Sequence, residues 1–142
     1  MIDALNESTY PWERILVSNG QPWPLNIKFF ENIAATGSRG GMSLPTGNVS
    51  YLSGAIDHEL GHVLDGRLIP WEARSVFTNR YCDHSPKHGW YTSPSTPYAF
   101  AGAENFANGY VSAFHNPEGF GLMGHYAPAA DREWFTNWVL GF

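Results

Sequence analysis

The sequence predicts a mixed α+β domain, a small twisted sheet packed on helices with a histidine-bearing helix at its centre. Two observations carry this. Short apolar or alternating segments punctuated by Gly and Pro fill the first 52 residues, and helical spacing takes over from residue 54.

The segments ERILVS (13–18) and NIKFF (26–30) read as strands, with Gly20, Pro22 and Pro24 between them. GMSL and NVSYL flank Pro45-Thr46-Gly47 and read as an edge hairpin. A helix follows at 54–65, with Ser53 as N-cap, Asp57 at the positive end of its dipole and Gly66 as the cap beyond its last turn. Further helices are expected at 71–80, 101–114 and 131–140. Gly109 inside the third calls for a close packing neighbour, and Trp134, Phe135, Trp138 and Val139 on the last read as core. A polar, Pro-rich loop occupies 83–99.

The length fits one domain, 1–142. Charged residues are 15% of the chain, against roughly 25% in ordinary soluble domains, while aromatics also reach 15%. Such a chain suits an exported domain or one partly covered in an assembly. The net charge of −5, with only Lys28 and Lys87 as lysines, argues against nucleic acid as a partner. The single Cys82 excludes an intrachain disulfide. The opening residues MIDALNESTYPWERILV lack the basic and apolar regions of a Sec signal, and no apolar run nears the ~20 residues of a membrane helix. The expectation is a soluble protein, released without Sec export or associated with a virion, with no membrane partner.

The stretch IDHELGHVLDGRL (56–68) carries the chemistry. At about 100° per residue, with His58 at zero, His62 lies near 40° and Glu59 near 100°. Ile56, Leu60, Val63 and Leu64 fall between about 140° and 240°, an apolar face for the core. One helical turn sets the two imidazoles side by side, where both can bind one tetrahedral ion, and Glu59 can reach a water beside it. Asp65 falls near about −20° and reads as structural.

A catalytic zinc takes three protein ligands. A metzincin needs glycine at 65 and histidine at 68; Asp65 and Leu68 exclude that class. Glu72, His84, His88, Glu104, His115, His125 and the other carboxylates remain. Glu104 ranks first, on a predicted helix 42 residues after His62, with Asn108 one turn on to orient its carboxylate. His84 and His88 read as solvated loop residues. Trp71, Trp90 and Phe100 read as core before cleft.

HELGHVLDGRL followed by PYAFAGAENFANGYVSAF resembles the zinc metallopeptidase domain of the anthrax toxin lethal factor-like family. His58, Glu59, Gly61, His62 and Asp65 match its helix motif; Tyr98-Ala99 and then Glu104, Phe106 and Ala107 match its second. The resemblance spans residues 40–120 and also fits a phage-encoded member. It implies a zincin-like fold and a gluzincin endopeptidase. His58, His62 and Glu104 then bind zinc, Glu59 is the general base, and Tyr98, with Tyr91 as fallback, stabilises the transition state. Two positions depart from the family pattern: Asn108 stands where an acidic residue is common, and Tyr98 lies six residues before Glu104 where seven is usual.

The expected activity is hydrolysis of peptide bonds in a peptide or protein substrate. The alternative is a zinc-stabilised structural or virion-associated protein, of phage tail or lysis type, whose partners are other subunits of a viral or secreted assembly.

Overall fold

The computed structural model describes residues 6, 8–31, 34–46, 52–81, 89–91, 93, 101–115 and 129–142. These residues form an α+β arrangement with a two-stranded and a three-stranded sheet and four helices. The strands are β1 (Val17–Ser18), β2 (Gln21–Pro22), β3 (Asn26–Phe30), β4 (Thr36–Ser38) and β5 (Gly41–Pro45). The helices are α1 (Leu52–Leu68), α2 (Trp71–Tyr81), α3 (Gly102–Phe114) and α4 (Ala129–Leu140).

Only the end of the ERILVS segment is extended. Trp12–Arg14 winds into a 3-10 turn after Pro11, with the Arg14 and Ile15 amides donating to the Pro11 and Trp12 carbonyls. The turn drives Trp12 and Ile15 into the core, which an exposed two-stranded ribbon does not require.

The expected GMSL–NVSYL hairpin is not the observed pairing. β5 is the central strand, parallel to β3 (Ile27 opposite Met42) and antiparallel to β4 (Gly37 opposite Met42). Residues 47–51 lie outside the described set, and Leu52 already belongs to α1. The physical reason is non-local: Met42 and Leu44 carry one face of β5 into the core, and Asn26–Phe30 and Thr36–Ser38 take its two edges. β4 then becomes an edge strand, and it packs on α1.

α1 is longer at both ends than expected. It starts at Leu52, so Ser53 stands inside it rather than capping it, and Asp57 sits beyond the first turn, paired with His115 Nε2 at 3.0 Å. It ends at Leu68, so Gly66 is interior and serves close approach instead of a left-handed cap: a Cβ there would stand 2.7 Å from the Arg39 amide nitrogen. Arg67 fixes this end of the helix. Its guanidinium donates to the carbonyls of Ile15, Trp23, Pro24 and Arg39 at 2.8–3.0 Å, binding the N-terminal segment and the β4–β5 turn to α1.

Ile56, Leu60, Val63 and Leu64 of α1 are buried, as the wheel requires. They meet Phe106, Tyr110, Val111 and Phe114 of α3 in one core with Phe77, Phe135 and Val139. Phe135 packs at Gly109, whose added Cβ would lie 3.1 Å from the ring, and this is the neighbour that the glycine called for. Among the described residues, no helix is long and apolar enough to cross a membrane.

Candidate metal centre

Two helices build the centre, and their crossing is set by small residues. A Cβ on Gly61 would stand 2.6 Å from Ala107 Cα, so α1 and α3 approach there as closely as glycine permits. On α1, His58 lies three residues before Gly61 and His62 one after. On α3, Glu104 lies three before Ala107 and Asn108 one after. The same −3/+1 spacing on both helices puts these four side chains face to face across the crossing.

The ligand atoms converge. His58 Nε2 stands 3.0 Å from Glu104 Oε2 and 3.1 Å from His62 Nε2, and His62 Nε2 stands 3.4 Å from Glu104 Oε2. Atoms about 2.0–2.1 Å from a tetrahedral ion lie roughly 3.3–3.4 Å from one another. The observed triangle is within a few tenths of an ångström of that shape. His58, His62 and Glu104 can therefore hold a metal ion. Two imidazole nitrogens and a carboxylate oxygen suit a borderline divalent cation.

Asn108 plays a different part from the one expected of it. Its Oδ1 accepts from His58 Nδ1 at 3.0 Å, so it orients the histidine and not the glutamate. With Nδ1 carrying the proton, the His58 Nε2 lone pair faces the triangle.

Glu59 is buried beside this group, at 5% exposure, and its Oε2 has no hydrogen-bond partner among the described residues. The Gly37 amide of β4 donates to its carboxyl. Gly37 lies so close to the Glu59 carbonyl and the His62 Cβ that no side chain fits there. Burial pushes the Glu59 carboxyl above the usual carboxylate range, against the pull of His62 and His58. Burial disfavours charge on His62, but the hydrogen bond and charge of Glu104 outweigh it and raise the imidazole pKa.

The other sequence candidates separate. His115 is spent on Asp57, and Glu72 is exposed on α2. Asp65 is structural: its Oδ1 accepts from Arg74 Nε and its Oδ2 from Trp90 Nε1, both at 3.0 Å. Trp90 is core, and Trp71 is exposed. His84, His88, Tyr98, Phe100, His125 and Cys82 lie outside the described residues. Tyr91 hydrogen-bonds Arg74 rather than joining the centre. The sequence reading missed Gly37, which carries no side-chain signal, and Ala107 as the partner of Gly61, which the shared −3/+1 spacing does signal.

Comparison of the chain with protein-family models, with curated proteins and with solved structures gives no match.

Proposed function

We propose that this chain is a zinc-dependent endopeptidase of the gluzincin type, with a zincin-like fold and a kinship to the lethal factor-like metallopeptidases. One observation supports the reading above others: three ligand atoms 3.0–3.4 Å apart beside a buried glutamate whose Oε2 has no partner among the described residues. His58, His62 and Glu104 hold the ion. Zinc, when bound, lowers the pKa of water toward about 7 and polarises the scissile carbonyl.

Glu59 takes the proton of the attacking water at Oε2 and delivers it to the leaving amine nitrogen. Its burial, which raises its pKa, makes it a better base than an exposed carboxylate. Asn108 holds the His58 ring so that its Nε2 stays a ligand. Among the described residues β4 is an edge strand packed on α1, and it offers an extended substrate a strand to pair with. Tyr98 serves as the oxyanion donor.

The test is Glu59→Gln. Zinc, measured by plasma mass spectrometry, should remain stoichiometric, while cleavage of a quenched peptide library falls by about 10²–10⁴-fold. Cleavage that survives the substitution removes Glu59 from the mechanism. A wild-type chain that takes up no zinc removes the whole reading.

A further inference from the structure

Trp71 and Tyr91 are exposed at 63% and 59%, yet they are held in place. Their rings stack with centroids 6.5 Å apart and planes at 26°. Behind them lies the Arg74 guanidinium, 5.1 Å from the Trp71 ring and 5.8 Å from the Tyr91 ring, with Nη1 donating to the Tyr91 hydroxyl at 3.3 Å. Arg74 is itself fixed to the buried carboxylate of Asp65. Asp65 follows His62 by three residues, on the same face of α1 and about 4.5 Å further along its axis. The stacked pair is thus pinned, through two side chains, to the helix face that carries the metal ligands.

We infer that Trp71 and Tyr91 form a substrate subsite that receives an aromatic side chain at a fixed distance from the scissile bond. The inference rests on the peptidase reading. Two stacked rings present a face that a third ring extends at the 4.5–7 Å separation such pairs adopt. The Arg74 guanidinium beside the rings is balanced by Asp65, so the pair offers an uncharged ring face that neither a cationic nor an anionic side chain is drawn to pair with.

The experiment uses the full zinc-loaded chain carrying Glu59→Gln, so that peptides bind without being cut. The probes are dye-labelled Gly-Ser decapeptides with a single phenylalanine moved along the chain, read by fluorescence polarisation. One register should bind roughly 3- to 10-fold more tightly than the others. Trp71→Ala and Tyr91→Ala should each reduce that gain while zinc content and far-UV spectrum stay unchanged. Equal binding in every register, or a gain that survives both substitutions, overturns the subsite. Binding of chitin hexaose that is lost with Trp71→Ala also overturns it, since the rings would then serve a glycan. If wild-type enzyme cuts denatured casein while the peptides show no preferred register, the subsite falls alone. If it cuts nothing, the peptidase reading falls and takes the subsite with it.

Discussion

Two buried polar clusters lie within a turn of each other on α1, and their hydrogen bonding differs in kind. Around Asp65 every carboxylate oxygen faces a donor, Arg74 Nε on one side and Trp90 Nε1 on the other. Around His58 the geometry is reversed. Two imidazole nitrogens and a carboxylate oxygen face one another, and the Nδ1 proton of His58 is turned away to Asn108. A cluster with donors and acceptors matched is finished as it stands and tightens the fold. A cluster of converging nitrogens and oxygens is balanced by a cation, either a metal ion or a proton on His62. The contrast separates scaffold from site more sharply than burial does, because both are buried.

The comparison breaks most visibly at the scaffold. Asp65→Ala leaves the Arg74 guanidinium and the Trp90 N–H facing a void, and should cost about 3–5 kcal/mol in urea unfolding. Metal bound per folded chain should not change. Loss of metal with little loss of stability would reverse the roles assigned to the two clusters.

The crossing comes next. Gly61→Ala places a methyl against Ala107 Cα and should cost about 1–3 kcal/mol while also weakening metal retention, because the ligands sit on opposite sides of that contact. Gly54→Ala on the same helix meets nothing within 4 Å and is the control. There the change should stabilise by about 0.5–1 kcal/mol.

A finer cut comes from Asn108→Ala. It should lower zinc affinity by about 10–100-fold in chelator competition, with the fold intact. Asn108→Asp should restore or exceed the wild-type value, since a carboxylate also accepts from His58 Nδ1.

The smallest effect is one of pH. The raised His62 pKa means that a proton competes with metal at a higher pH than for a free imidazole of about 6.5. Retained zinc in equilibrium dialysis should therefore be complete above the raised value and fall as the pH drops through it. Zinc lost only near pH 4, where free carboxylates titrate, would take the control away from His62.

Much of the site was legible because helices make their periodicity local. The wheel that put Ile56, Leu60, Val63 and Leu64 on one face and His58 and His62 on another is the one found. Glu104 was legible for the same reason, from a second helix in the right phase. The sheet was less so, since pairing is non-local. GMSL takes Thr36–Ser38 and Asn26–Phe30 as its neighbours, and nothing in the alternation of five residues distinguishes an edge strand from a central one. The ends of α1 were misplaced because Ser53 and Gly66 resemble caps, and tertiary contact at Arg39 overrode the local signal. Asn108 stood at the right place with the wrong partner, because spacing along α3 says nothing of what α1 brings opposite.

The contact between Gly61 and Ala107 has a consequence for the life of the chain before it is folded. Any passing helical turn brings His58 and His62 together, so even a nascent chain offers an ion a weak two-point grip. Glu104 joins only when residues 46 apart in sequence have docked. Occupancy thus reports on assembly, and each favours the other by mass action. On the proposed reading, a newly made copy completes its metal centre as its two helices dock, and a bound ion then adds to the stability of that docking.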